Sequence, residues 1–330
     1  MAVLVTGGAG YIGSHTVRTL YRENNEVIVL DNLSSGHRGA IAATTFYQGD
    51  IEDSQLVEDI IKLHNIDSVI HFAASSIVSE SMYNPQKYYY NNVIKSIKLL
   101  DVLIKNNVKK LVFSSTAAVY GSPSELPIIE DAPLNPTNVY GRTKLMVEEI
   151  IKDYNSAYGL EYVILRYFNA AGADEAGDMG EDHNPESHLI PLILQVALGK
   201  RDKISIYGDD YETPDGSCIR DYIHVNDLAK AHLLALEALN VGRGSKVYNL
   251  GNGKGFSVKE VIKAAENVIG KPINKAIEGR RVGDPQCLIA SSFNIQKDLG
   301  WRPEYSNIED IISTAWKWYH LHPMGYYDSK

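Results

Sequence analysis

The 330-residue chain reads as an α/β protein: a doubly wound parallel sheet with helices on both faces, followed by a smaller C-terminal α/β part. Three observations predict this. Short apolar runs alternate with helix-patterned segments through the first half, a βαβ rhythm. A glycine-rich loop stands between the first apolar run and the first helix. Near residue 174 the chain changes character, and 174–187 is rich in Gly, Asp, Glu and Pro, the composition of an irregular loop.

In order, apolar runs at 2–5, 27–30, 44–47, 68–71, 110–114 and 162–166 read as strands, the first of them buried. Between them, 14–21, 54–64, 85–106 and 140–157 carry apolar residues at helical spacing. After the irregular loop come a helix at 189–198, a strand at 203–207, a loop at 208–217, a helix at 225–239 and a strand at 247–250. The last two are expected to return to the first sheet. Helices at 258–269, 294–299 and 308–320 should build the smaller part. The division expected is 1–170, with 225–250 returning to it, against 171–330.

Composition narrows the function classes. Hydrophobic residues at 44% and charged residues at 22% describe an ordinary globular protein. A formal charge of −9 argues against nucleic acid or an anionic membrane as partner. No apolar run approaches spanning length, and no basic-then-apolar leader precedes the first strand. Cys218 and Cys287 stand far apart and outside any C-x-x-C, so reduced thiols in a cytoplasm are expected.

The loop Thr6-Gly7-Gly8-Ala9-Gly10-Tyr11-Ile12-Gly13 satisfies G-x-G-x-x-G at Gly8, Gly10 and Gly13, and a looser pattern at Gly7, Gly10 and Gly13. Glycines there permit a tight turn, close approach of backbone to a pyrophosphate, and close helix–strand packing. The pyrophosphate would lie on the helix N-terminus, where unpaired N–H groups favour an anion. A lone glycine pattern is weak, but here a strand precedes it, a helix follows, and Asp31 ends the second strand. That carboxylate suits a ribose 2′-hydroxyl and repels a 2′-phosphate, which favours NAD over NADP. Arg38 is the only nearby group for the opposite reading.

Tyr140-Gly-Arg-Thr-Lys144 places a phenol and an ammonium at i and i+4 on one helix face. A free tyrosine titrates near 10 and is a poor base at neutral pH. A cation roughly 4 Å away at an effective dielectric near 20 favours the phenolate by about 4 kcal/mol, or about three pKa units. Such pairs are ordinarily surface neighbours; a dinucleotide loop in the same chain changes that reading. Thr116, at the end of the strand Phe113-Ser114-Ser115-Thr116, offers a hydroxyl to a substrate oxygen or, more blandly, caps a turn. Asp50 and Phe72-Ala73-Ala74 end the third and fourth strands, where adenine and dinucleotide backbone would lie. Asn169 ends a strand beside this region. Arg220 and Arg281 suit a diphosphate, and Asp284 suits ribose hydroxyls. His183 and His188, near Glu181 and Asp182, match no standard ligand spacing, so no metal is expected.

Together the glycine loop, the Ser-Ser-Thr stretch and Tyr140-x-x-x-Lys144 resemble the extended short-chain dehydrogenases/reductases that act on nucleotide sugars. The blocks 165–169, 177–182, 220–225 and 279–284 narrow the resemblance to the UDP-hexose 4-epimerase family, over nearly the whole chain. The resemblance implies a Rossmann-type domain with retained NAD, a transient 4-keto sugar, and interconversion of UDP-galactose and UDP-glucose in galactose metabolism by a homodimer. It makes Tyr140, Lys144 and Thr116 catalytic. It also implies cofactor contacts from Gly7, Gly10, Tyr11, Ile12, Gly13, Asp31, Asn32, Asp50, Ile51, Phe72, Ala73, Ala74, Asn91, Ser114 and Tyr167. To the UDP-sugar it assigns Phe168, Asn169, His188, Leu189, Tyr207, Arg220, Tyr222, Arg281, Asp284 and Leu288. Sugar dehydratases of the superfamily carry Asp-Glu directly after the threonine; Ala117-Ala118 stand here, so elimination lacks its groups. Four positions depart from the family pattern: Thr116 stands where serine is often found, Ser76 replaces a phosphate-binding lysine of some members, His188 an asparagine, and Leu288 the bulkier tyrosine of strictly UDP-glucose-specific members. Room at Leu288 raises the alternative of an epimerase acting on UDP-N-acetylglucosamine or on both sugar types. A non-catalytic NAD-sensing regulator is the rival of another class, and it would have no need of Tyr140 and Lys144.

Overall fold

The computed structural model describes residues 2–41, 44–281 and 285–326. The elements run β1 (Ala2–Thr6), α1 (Tyr11–Arg22), β2 (Glu26–Asp31), β3 (Thr45–Gln48), α2 (Ser54–His64), β4 (Ile66–His71), α3 (Val78–Tyr83) and α4 (Pro85–Tyr88). A π-helical turn at Tyr89–Ile94 leads into α5 (Lys95–Lys105), β5 (Lys110–Thr116), α6 (Val139–Tyr158), β6 (Glu161–Tyr167), β7 (Asn169–Ala171) and α7 (Leu189–Ala197). There follow β8 (Ile204–Tyr207), β9 (Ile219–His224), α8 (Val225–Asn240), β10 (Lys246–Leu250), β11 (Gly255–Ser257) and α9 (Val258–Ile269). The chain closes with β12 (Lys275–Glu278), β13 (Cys287–Leu288), α10 (Phe293–Leu299) and α11 (Ile308–Leu321). No helix among the described residues is long and apolar enough to cross a membrane, and Cys218 and Cys287 form no disulfide.

Seven strands form one parallel sheet in the order β10-β6-β5-β4-β1-β2-β3. The chain starts in the middle, winds outward to β3, then returns to β4 and winds the other way. The reversal falls between β1 and β4, where such folds hold their ligands. Because side chains alternate along a strand, the sheet has two apolar faces. Val3, Val5, Val27, Val29, Ile70 and Val112 pack with Val17 and Leu20 of α1 and with Leu228, Leu233 and Leu236 of α8. Leu4, Ile28, Leu30, Val69, Leu111 and Ile164 meet α2, α5 and α6 on the other face. The strand at 247–250, expected to return, is β10, paired parallel with β6.

A third core collects α7, α9 and α11 around β8 and β9. Two features differ from the sequence pattern. The helix 294–299, expected in the smaller part, is α10 and packs on α8 and β10; Ile295, with Leu299 and Trp301, joins the core of the main sheet. The helix predicted over 85–106 is interrupted by the π-helical turn, a form frequent at functional sites. Within it the Asn92 side chain accepts from Ser75 N at 2.8 Å and donates to Ser75 O and Thr143 Oγ1, which ties the loop after β4 to α6.

Candidate active site

The carboxyl ends of β1, β2, β4, β5 and β6 open onto a cavity of about 660 Å³. Its floor is the glycine loop. Gly7 has φ +72°, and a Cβ there would lie 2.5 Å from Ala73 N. A Cβ at Gly13 would lie 2.3 Å from Gly7 O, so the first turn of α1 packs directly on the loop. Gly10, by contrast, would meet nothing of the protein closer than 3.4 Å. Its side faces open cavity, where only a ligand competes for space. Asp31, buried at the end of β2, accepts from Ala9 N (2.9 Å) and Leu33 N (2.8 Å), and burial raises its pKa. Arg38 is turned elsewhere: its guanidinium stacks 4.7 Å from the Phe46 ring centre and bonds Ile41 O at 2.5 Å. A cradle of backbone N–H groups with the Asp31 carboxylate beside it, and among the described residues the Arg38 guanidinium turned away, fits NAD.

Every residue expected to touch the cofactor lines this cavity: the loop positions, Asp31, Asn32, Asp50, Ile51, Phe72, Ala73, Ala74, Asn91, Ser114, Tyr140, Lys144 and Tyr167. Of the substrate set, Thr116, Phe168, Asn169 and His188 line it too. Asn169 does not end a strand, as its sequence context suggested. It opens β7, with Phe168 alone between it and β6, and its amide donates to Asp221 O at 3.1 Å. Leu189, Tyr207, Arg220, Tyr222, Arg281 and Leu288 lie off the cavity lining. Leu189 begins α7, and Tyr222 is buried on β9 in the third core. The remainder fall into two groups. The Arg281 guanidinium stacks 3.8 Å over the Tyr207 ring, and Leu288 pairs in register with Arg220 and packs with Phe168. Asp284 lies outside the described residues.

Asn138 caps α6 through Gly141 N, so the helix starts just before Tyr140. Gly141 is obligatory, since a Cβ would sit 2.5 Å from Ala118 O. Tyr140 and Lys144 are both buried on the inner face of α6. Thr116 takes the turn-capping role foreseen for it, Oγ1 accepting from Ala118 N at 3.1 Å, and its hydroxyl stands near enough to Tyr140 to lower the phenol's pKa. Lys144 Nζ donates to Ser114 O at 2.8 Å and lies 4.8 Å over the Phe113 ring.

The electrostatics correct the sequence expectation. Burial pushes Tyr140 up to about 12, outweighing the hydrogen bond from Thr116. Burial also pulls Lys144 down to about 7, opposed by the Glu148 carboxylate. A Coulomb term at fixed dielectric omits desolvation, which disfavours both charged forms at once. A lysine close to half neutral exerts a weaker field on the phenol, and its proton is aimed at a carbonyl.

Sequence reasoning missed the groups behind the pair. Glu148 continues the Tyr140–Lys144 stripe by one turn, is fully buried, and ion-pairs Arg166 at 2.5 Å. Ser115 Oγ donates to it at 2.5 Å, and Arg166 reaches Tyr120 Oη at 2.9 Å. Their signal was the i+4 spacing from Lys144. Lys95 was also missed; it lines the cavity and pairs Asp50 at 2.5 Å.

Comparison with known proteins places this geometry. The model of the NAD dependent epimerase/dehydratase family matches residues 3–251. The chain belongs to that family. A family member from Halalkalibacterium halodurans, described as UDP-glucose 4-epimerase, is 59% identical over 326 residues, 99% of this chain and 98% of that protein. A solved UDP-glucose 4-epimerase aligns with TM-score 0.97 at 50% identity, over 99% of this chain and 100% of that one. The Brucella ovis UDP-glucose 4-epimerase, solved in complex with NAD, aligns with TM-score 0.93 at 48% identity, over 95% of this chain and 96% of that one.

Proposed function

We propose that this family member is an NAD-dependent UDP-glucose 4-epimerase, interconverting UDP-galactose and UDP-glucose. The observation that carries the reading is the convergence of Tyr140, Lys144 and Thr116 on the cavity floored by the dinucleotide loop. The near-complete coverage by epimerases of the same fold supports it. NAD held in this cavity would supply reversible hydride acceptance at sugar C4 and, while oxidised, a positive charge favouring the phenolate of Tyr140.

The chain's own residues do the rest. Tyr140 Oη takes the proton of the sugar 4-hydroxyl and later returns it. Thr116 Oγ1 donates to the Tyr140 oxygen and so steadies it when ionised. Lys144 holds its ammonium behind the phenol and toward the nicotinamide ribose. Asp31 takes the adenosine ribose hydroxyls, and the α1 N-terminus takes the diphosphate of NAD. Residues 1–170 with 225–250 hold the dinucleotide, and 171–330 mainly hold the UDP-sugar. Arg220 and the Arg281–Tyr207 stack grip the UDP, with Asp284 assigned to the same group. A cytoplasmic homodimer is the proposed state, and sedimentation checks it.

Purified protein given UDP-galactose and no added NAD should form UDP-glucose, because the reaction restores its own cofactor. Tyr140→Phe should lower turnover by at least about 10²-fold, the lower bound for losing acid–base catalysis. An unchanged Tyr140→Phe rate, or a stable keto product, would remove the proposal.

A further inference from the structure

Four side chains outside the reaction chemistry converge in the segment leading into α7. Glu181 and Glu186 are buried, His183 is mostly covered, and His188 is half-exposed toward the cavity. One ligand atom from each lies within 4.8 Å of the other three. As a hydrogen-bond network the arrangement is lopsided. Glu181 Oε1 receives both imidazoles, with His183 Nδ1 at 3.1 Å and His188 Nδ1 closer still. Glu186 Oε1 accepts Ser187 N and His188 N, while Glu186 Oε2 is buried with no hydrogen-bond partner and sits 4.0 Å from His183 Nδ1.

We propose that Glu181, His183, Glu186 and His188 bind one divalent cation of the zinc class. Two imidazole nitrogens and two carboxylate oxygens are a neutralising, borderline-soft donor set of the kind zinc takes in four-coordinate sites. Bond lengths near 2.0–2.2 Å put tetrahedral ligand atoms about 3.3–3.5 Å apart. His183 Nδ1 lies 3.1 Å from Glu181 Oε1 and 4.0 Å from Glu186 Oε2, either side of that edge, while His188 Nδ1 is closer to Glu181 Oε1 than a tetrahedral edge allows and would move outward as an ion enters. A central ion gives each ligand one partner, including the orphaned Glu186 oxygen. The sequence spacing matched no known ligand pattern because the loop's path, not its periodicity, brings these side chains together. The ion would clip the segment that walls the cavity with His183, Ser187 and His188 and delivers Leu189 to α7. The surroundings are already anchored: Trp318 Nε1 donates to Glu181 O at 3.2 Å, and the Tyr11 ring stands edge-on to His183. The inference rests on this geometry and stands apart from the epimerase reading.

The test uses the full chain stripped with a chelator, then titrated with zinc by calorimetry and with cobalt(II) by visible absorption. One equivalent should bind, with the intense d–d bands of a tetrahedral cobalt site and a rise in Tm that saturates at that ratio. The near-isosteric Glu186→Gln should weaken zinc binding at least tenfold, and His183→Ala should do the same, with circular dichroism confirming that both fold. If the stripped protein takes up no stoichiometric metal, or both folded variants bind as the parent does, the four residues are only a hydrogen-bonded ion network and the proposal fails.

Discussion

Glu148→Gln is the sharpest test of how the helix carrying Tyr140 and Lys144 is held. Glu148 is fully buried, bonds Arg166 through both its oxygens, and accepts from Ser115. The amide keeps the shape but strips the charge, so Arg166 is left as an uncompensated buried cation. Breaking one side of such a pair costs about 3–5 kcal/mol. At no more than about 2 °C per kcal/mol for a chain of this size, Tm falls by up to roughly 10 °C. A second effect is local. The Glu148 carboxylate is what holds Lys144 up against burial, so its loss lowers the Lys144 pKa further below 7. Turnover at neutral pH should drop, and the pH at which it begins to fail should move downward with Lys144. Replacing both charges, Glu148→Leu with Arg166→Met, should recover much of the stability, since an apolar pair often matches a buried ion pair. Denaturation by heat and by urea, with a pH–rate profile, reads all three. A single variant within 1 kcal/mol of the parent and with an unmoved profile would refute both the burial argument and the link to Lys144.

The glycine loop makes a paired prediction: Gly13→Ala meets Gly7 O and should lose both stability and NAD, whereas Gly10→Ala should melt near the parent and still lose at least tenfold in NAD affinity by calorimetry. Lys144→Met tests the buried ammonium in the cofactor-free chain. The native pKa near 7 lies below the unfolded value near 10.5, so between those values the unfolded state binds more protons and parental stability rises with pH. Melting curves of parent and Lys144→Met across that window should converge toward its alkaline end in the parent's favour; a constant difference contradicts the shift. Leu288, packed against the cluster that holds Phe168 and paired with Arg220, is smaller than the tyrosine of strictly UDP-glucose-specific family members. UDP-N-acetylgalactosamine should therefore be turned over, and Leu288→Tyr should suppress that activity more than the UDP-galactose activity in a coupled assay.

Local pattern carried most of the main sheet. Its inner strands are short apolar runs, the edge strands β3 and β10 more mixed, and α2 and α9 start and stop where caps and spacing put them. The dinucleotide floor was legible for the same reason: strand, glycine loop, helix and acidic residue are contiguous. What escaped the sequence depends on contacts far along the chain. The β9 strand reads Ile-Arg-Asp-Tyr-Ile-His, too charged for a buried strand, yet Asp221 is buried because Ala290, Asn252 and Gly253 all turn N–H groups onto it. The three-residue β7 exists only as its partner. The helix expected over 85–106 gains a π-helical turn where Asn92 reaches for Ser75 and Thr143, a bond no periodicity encodes.

The Tyr140–Lys144 pair joins the two kinds of information. Spacing shows that phenol and ammonium share a face, but the sign of their pKa shifts belongs to burial, which only the packed structure supplies. Once both are buried, the lysine needs a counter-charge to stay protonated, and the helix period has one place for it, the next turn, at Glu148. That carboxylate in turn needs Arg166 on β6, and Arg166 needs Tyr120 beyond β5. The Tyr140 phenol, proposed as the acid–base group, is therefore the cavity-facing end of a buried relay of alternating charge running across α6, β6 and the turn after β5. It follows that the base strength of Tyr140 should respond to substitutions two side chains away from any substrate atom, and in the direction set by the charge removed.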